Sequence, residues 1–412
     1  MTATTALTTL MRQAITRAGG WLPFDRYMAL ALYAPGLGYY AHGSRKFGHL
    51  PTSGSDFVTA PEMTPLFGRA LAAAVGDALQ ATGCDEVWEF GPGTGALAAQ
   101  LLEALGDRVV RYTLVDLSGS LRARQRERLA AWGDKVRWVD ELPERMSGVV
   151  VGNEVLDAMP VKLLSRHQGR WHERGVVWRE TQGGDPAQAQ AAGAAGMLAG
   201  AGANANANAN ANANANANAN ANANANANAN AKPGALAWED RPTELRPPCE
   251  VPGAHDYLTE IHPQAEAFVR TLADRLERGA AFFPDYGFPE AEYFHPQRHM
   301  GTLMCHLGHL ADPDPLDRPG RKDITAHVNF TGIALAGQES GLGVLGYTSQ
   351  ARFLVNCGLG DLMQQALVAE QVAAQRLVAE HEMGELFKVI GFHKGPFWDA
   401  LGFREGDRTA SL

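Results

Sequence analysis

A carboxylate placed two residues ahead of a glycine run is the first sign of chemistry in this chain, within Val87-Trp88-Glu89-Phe90-Gly91-Pro92-Gly93-Thr94-Gly95. Gly91, Gly93 and Gly95 let the backbone take positive φ and come close to a ligand, and amides opening the next helix favour electron-rich groups. Gly91, Gly93 and Ala96 also fit the G-x-G-x-x-G/A spacing of a dinucleotide site, so glycine spacing by itself leaves two cofactor classes open. Glu89 discriminates between them. Its charge would repel the pyrophosphate of NAD, but it attracts the ammonium and sulfonium of S-adenosylmethionine. Asp116, at the end of Tyr112-Thr113-Leu114-Val115, is placed to accept hydrogen bonds from both ribose hydroxyls. An ordinary strand-to-helix turn would call for neither acid. The pocket reads as one for S-adenosylmethionine.

A second constellation follows the apolar run Val149-Val150-Val151-Gly152. Asn153, Glu154 and Asp157 stand where a methyl-transfer fold faces the departing methyl group. Glu154 and Asp157 are spaced so that one helical turn would project both carboxylates from one face. The same residues also read as a helix cap, Asn153, with first-turn acids complementing the dipole, and the two readings are compatible. Asp140 is either an acceptor for an adenine amino group or a solvated loop acid. His306 and His309, with Asp312 and Asp314 nearby, would suit a metal only if a helix aligned them, and Gly308 and the prolines break it. No metal is expected.

These groups need a scaffold. Strands are expected at 87–90, 111–115, 136–139 and 148–152, with helices at 95–105 and 119–132 between them, an alternation that calls for a doubly wound parallel sheet. A further strand is expected over Ala280 to Gly287, and the last two over Gly343 to Tyr347 and Leu386 to Gly391. Helices are expected at Glu260 to Glu277 and, as one long element, at Leu362 to Glu382. Seven strands ending in a late hairpin fit a class I methyltransferase. Ahead of them, two helices end at Gly19-Gly20 and Pro35-Gly36, and a loop rich in aromatic and small residues leads to a helix from Thr64 to Ala81. Val161 to Trp178 reads as a hairpin turning at Gln168-Gly169.

Length and composition set the limits. The chain has 412 residues, with 36 basic and 45 acidic side chains for a net charge of −9, and no basic stripe, which argues against a nucleic-acid partner. Four cysteines without a C-x-x-C pair indicate a reducing compartment. No apolar run approaches a membrane span, and the acid-free, threonine-rich first twenty residues read as a helix of the fold rather than an organelle transit peptide. From Ala203 to Ala231 the chain is a strict Ala-Asn alternation, read as a disordered insertion because Ala buries too little surface to offset ordering entropy.

Six segments, taken together, resemble the MidA family. They are Tyr33-Ala34-Pro35-Gly36-Leu37-Gly38-Tyr39-Tyr40, Asp56-Phe57-Val58-Thr59-Ala60-Pro61-Glu62, Glu89 to Gly95, Asn153-Glu154-Val155-Leu156-Asp157-Ala158, Asp285-Tyr286-Gly287 and Asp323-Ile324-Thr325-Ala326-His327-Val328. The resemblance implies a Rossmann-like class I fold of seven mostly parallel strands with S-adenosyl-L-methionine as cofactor. It also implies protein arginine N-methylation, with a respiratory complex I subunit as substrate in mitochondrial members. By the same resemblance Thr94, Thr59, Pro61 and Glu62 join the cofactor site. The Ala-Asn insertion and Phe-Phe-Pro at 282–284 depart from the family pattern without touching the cofactor motifs. Residues 1–83 are then an N-terminal helical and loop region reaching the active site, 84–180 with 256–412 the catalytic domain, and 181–255 an insertion. An alanine-rich chain without a clear transit peptide is expected in a bacterial cytoplasm. Besides an active enzyme, a cofactor-binding assembly factor without turnover fits the same residues.

Overall fold

The glycine run sits at the centre of an eight-stranded sheet. In the computed structural model, residues 3–41, 59–116, 119–180, 234–308 and 310–412 are described. Seven strands are numbered β1 (Glu86–Phe90), β2 (Arg111–Val115), β3 (Val136–Val139), β4 (Met146–Val151), β5 (Leu276–Phe288), β6 (Gly343–Ser349) and β7 (Phe387–Lys394). Across the sheet they run β6-β7-β5-β4-β1-β2-β3, with Val328–Asn329 pairing the end of β5 as the eighth strand. β7 is antiparallel to both of its neighbours, whereas β5, β4, β1, β2 and β3 are mutually parallel. The order reverses at β1 and β4, so the crevice beyond their carboxyl ends is where a doubly wound sheet binds its ligand. That order is the class I methyltransferase topology.

Apolar residues fill both faces. One carries the helices Pro65–Thr82 and Ala96–Leu105, the other the helices Pro263–Arg275 and Phe330–Glu339. Leu97, Leu101, Leu102 and Leu105 recur at helical spacing and are all buried, each contributing about 1.5–3 kcal/mol relative to exposure. Phe282 and Phe283, neighbours in β5, point to opposite faces and enter different clusters, so the unusual aromatic pair serves both cores at once.

A second, five-stranded antiparallel sheet takes four of its strands from between β4 and β5 in sequence. It contains Lys162–His167, Arg170–Arg179, Ala235–Pro242 and Tyr257–Ile261, with Leu22–Pro23 at its edge. The hairpin turns at Gln168 (φ 50°) and Gly169 (φ 76°), the left-handed pair such a two-residue turn needs. The two N-terminal helices, Ala3–Arg17 and Phe24–Tyr33, pack against this sheet through Leu7, Met11, Phe24 and Met28.

Several sequence expectations are corrected. Glu260 opens no helix; Tyr257–Ile261 is a strand, and the helix begins at Pro263. The stretch from Leu362 to Glu382 is not one helix, because helices Leu359–Gln364 and Val368–Val378 are separated at Leu367, which is extended. The helix expected to reach residue 132 ends at Arg128. Residues 235–242, placed in the insertion by sequence, form a strand paired with His172–Arg179. The Ala-Asn tract, Asp56-Phe57-Val58 and His309 lie outside the described residues.

Candidate active site

β1 delivers Glu89 and Phe90 to the crevice, and the chain then turns through Gly91 (φ 59°), Gly93 (φ 52°) and Gly95 (φ 81°). Three alternating left-handed residues explain why glycine stands at each. Gly95 N donates to Pro92 O at 2.7 Å, closing the turn ahead of the helix Ala96–Leu105. Glu89 is 2% exposed and accepts from the Tyr112 hydroxyl at 2.6 Å. Burial, with the nearby Asp116 charge, pushes its carboxyl up to about 8. No described lysine or arginine forms an ion pair with it, so a cationic ligand group beside the turn would offset a charge that the fold leaves uncompensated.

Asp116 directly follows β2, and its Oδ2 accepts from Gln125 Nε2 at 2.6 Å. The same amide nitrogen donates to Gly93 O at 2.8 Å, while Gln125 Oε1 accepts from Trp138 at 2.9 Å. One fully buried glutamine therefore ties the glycine turn, the ribose-side acid and β3 together, a role that no local sequence pattern signals. Asp140 is 75% exposed in its side chain and pairs with Arg122, whose guanidinium also reaches the Asp116 and Val139 carbonyls.

Glu62 and Thr94, far apart in sequence, meet at the rim: the Thr94 hydroxyl donates to Glu62, and Arg128 Nη1 reaches Glu62 at 3.1 Å and Thr94 at 2.6 Å. Thr59 precedes the short helix Ala60–Met63, and Pro61 O accepts from Gln100 Nε2 at 2.7 Å, pinning that helix to the one following the glycine turn. Arg128 and Arg122 both reach the site from one arginine-rich helix, whose sequence does not mark out which of its arginines face it.

Residues 153–157 are not helical. Glu154 sits at φ 52°, a left-handed conformation uncommon for a residue with a Cβ, and its amide donates to Pro284 O at 3.0 Å, continuing the β4–β5 pairing. The carboxylates of Glu154 and Asp157 thus come together through an irregular loop rather than on a helical face, and Asn153 caps no helix. Asn153 Nδ2 instead donates to Glu154 Oε1 at 3.0 Å. A Cβ at Gly91 would lie 3.0 Å from Val155 Cγ2, so this loop abuts the glycine turn.

Around the loop gather residues that sequence proximity does not link. Asp285, fully buried, accepts from the Leu156 and Asp157 amides at 2.9 and 3.2 Å. The Tyr286 hydroxyl donates to Asp157. Tyr33 donates to Ala158 O at 2.8 Å and stacks on Tyr40, which donates to Asp323 at 2.7 Å. Burial pushes Glu154 up to about 8, aided by the charge of Asp157, and burial pushes Asp157 up to about 6. Asp285 rises too, from burial and then from the charges of Asp157 and Glu154. The recurrence of these residues in the sequence segments quoted above was the only signal that could have found them.

A doubly wound sheet with an acid-flanked glycine turn at its switch point and a carboxylate loop beside it defines a class I methyltransferase. The chain belongs to the Methyltransf_28 family of S-adenosyl-L-methionine-dependent methyltransferases, whose family model matches residues 70–348. A Burkholderia thailandensis protein bound to S-adenosyl-homocysteine is similar over 100% of this chain and 97% of its own, at 45% identity and a TM-score of 0.83. A second structure from that organism matches at 43% identity and a TM-score of 0.80, again over 100% of this chain and 97% of its own. The mitochondrial protein arginine methyltransferase NDUFAF7 of Danio rerio is 25% identical over 90% of this chain and 83% of its own length, and its Caenorhabditis elegans homolog 24% over 85% and 76%. The MidA resemblance, the fold and the cofactor are therefore borne out. The protein is an S-adenosylmethionine-dependent methyltransferase.

Proposed function

We propose that the acceptor is an arginine side chain of a protein. The observation that carries this reading is the group Glu154, Asp157 and Asp285: three clustered carboxylates, Asp157 and Asp285 buried and Glu154 partly so, none in an ion pair with a described lysine or arginine, each pushed upward by desolvation. A cation entering the crevice offsets that crowding. A guanidinium does so with five N–H donors in a planar fork that carboxylates accept bidentately. The NDUFAF7 relatives, named as protein arginine methyltransferases, support the same acceptor. In mitochondrial members the MidA resemblance implies a respiratory complex I subunit as substrate, and the composition of this chain places it in a bacterial cytoplasm.

Bound S-adenosylmethionine supplies a methyl carbon made electrophilic by its sulfonium. Glu89, Asp116 and the glycine turn hold the cofactor, with Thr94, Thr59, Pro61 and Glu62 along its rim and Asp140 at its adenine end. Glu154 and Asp157 hold the guanidinium close to ~3 Å from the methyl carbon and draw its charge away from the attacking nitrogen, so positioning supplies much of the rate. The positive charge of the bound guanidinium favours ionised Glu154, whose carboxylate then accepts the proton that the nitrogen releases.

Labelled S-adenosylmethionine incubated with the protein and host lysate tests the reading. Labelled proteins are expected to yield methylarginine on hydrolysis. Label recovered on another residue type overturns the arginine assignment, and no label at all points to a cofactor-binding assembly factor.

A further inference from the structure

Asp157 and Tyr286 lie 129 positions apart in sequence and meet where β4 and β5 end. The Tyr286 hydroxyl donates to Asp157 Oδ2, while the other oxygen, Oδ1, is buried with no hydrogen-bond partner among the described residues. A buried acceptor left unpaired costs about 1–3 kcal/mol, so a fold that keeps one has a use for it. The ring of Tyr286 is held edge-on by His327 and Phe387, each at 5.2 Å between centroids. Asp285 fixes the two partners from behind: its Oδ2 accepts from the Asp157 amide and its Oδ1 from the Tyr286 amide at 2.9 Å. Both backbone and side chain thus set where Asp157 Oδ1 points. Asn153 has the same arrangement in miniature, giving Nδ2 to Glu154 and keeping a buried Oδ1 unpartnered.

We propose that Tyr286 is a positioning residue, whose hydroxyl engages Asp157 Oδ2 and thereby turns Oδ1 toward the N–H groups of a cationic acceptor. The proposal rests on the reading that Asp157 faces the acceptor. Glu154 from the same loop, Asp285 from β5, Asp323 from the strand Asp323–Thr325, and the hydroxyls of Tyr33 and Tyr40 surround the pair. Among these groups Tyr286 is the side chain whose hydrogen bond favours ionised Asp157, against the burial that disfavours it. Its removal therefore moves Asp157 to a higher pKa, which a purely structural tyrosine would not do.

The test uses Tyr286→Phe, Asp157→Asn and the double variant in the full chain, with a pool of arginine-containing peptides as acceptor and S-adenosylhomocysteine binding as a check of folding. Tyr286→Phe is expected to lower kcat by on the order of tenfold to a hundredfold, to leave S-adenosylhomocysteine affinity unchanged, and to shift the acid limb of the pH–rate profile upward. Carboxyl-carbon NMR of labelled aspartate, with Asp157→Asn to assign the signal, should show the same upward shift in midpoint. Adding Tyr286→Phe to Asp157→Asn should cost nothing further. An Asp157→Asn variant as active as wild type overturns the acceptor reading itself. An inactive Asp157→Asn beside a Tyr286→Phe with wild-type kcat and midpoint overturns the positioning role alone.

Discussion

Two buried carboxylates about one hundred residues apart meet opposite treatment. Glu260, on the second sheet and fully buried, accepts from the Tyr293 hydroxyl at 2.9 Å, the Thr302 amide at 2.9 Å, the Thr302 hydroxyl at 3.1 Å and the Leu303 amide at 3.1 Å. Asp157, 4% exposed, has one oxygen engaged by Tyr286 and the other by nothing described. Burial is common to both, and satisfaction is not. Where donors converge, the acid is structural cement between a strand and a loop. Where they are withheld, the fold carries a cost that a ligand can remove.

The largest effect should come from the satisfied site. Glu260→Ala leaves two hydroxyls and two amides without this acceptor, and is expected to cost about 3 kcal/mol or more. Denaturant unfolding would read this as a lower midpoint, and an unchanged midpoint would break the comparison. At the under-donated site the effect moves from stability to rate. Glu154→Gln should lower turnover by on the order of 10², with cofactor affinity little changed.

At Glu154 ionisation works against the fold. Its folded carboxyl sits at about 8, against about 4.3 in an unfolded chain. The unfolded state releases its proton first, so stability falls as pH rises between about 4 and 8. Glutamine removes that loss. The variant should melt no lower than wild type at pH 8 while being nearly inactive, and a large drop in melting temperature there would contradict the assignment.

Glu89 gives a smaller, pH-linked effect. With its carboxyl at about 8 in the free protein, a cationic cofactor favours the ionised form, and binding releases a proton below that pH. Affinity for S-adenosylmethionine should rise with pH from 6 to 8, by at most about tenfold per unit. Glu89→Gln should flatten this rise relative to wild type, which cancels the titration of the ligand's own amine. Calorimetry in buffers of different ionisation enthalpy would measure it, and equal proton release by both proteins would exclude Glu89.

Much of this was legible in the sequence because the signals are local. β2 and β3 fall where apolar runs between turn residues put them, and Glu89, Gly91 and Asp116 meet because one βα unit and the next strand fix their spacing. The carboxylate loop was located but its shape was not, since three-residue spacing says helix, and only the left-handed turn at Glu154 says otherwise. Glu260 was read into a helix that begins after it, because the strand Tyr257–Ile261 is apolar enough to continue either pattern. Tyr286, Asp285 and Tyr33 reach the site from distant parts of the chain, and no periodicity encodes contacts of that range.

The smallest expected effect concerns the Ala-Asn tract. Loop-closure entropy changes by only ~0.6 kcal/mol per doubling of length, so replacing the tract with a few Gly/Ser residues should leave melting temperature and methyl transfer nearly unchanged. A large drop in melting temperature would show that the tract is packed.

Arg179 and Ala235 face each other on one rung of the second sheet, and Gly234 N donates to Arg179 O at 2.7 Å. The described residues on either side of the tract therefore meet on one rung. In genetic terms, each Ala-Asn unit is six nucleotides, so replication slippage adds or removes whole units without disturbing the reading frame. A change in repeat number alters the mass of the protein and leaves every described rung on either side in register. If deletion of the tract leaves melting temperature and methyl transfer unchanged, as predicted above, the repeat count is free to drift without cost to the fold.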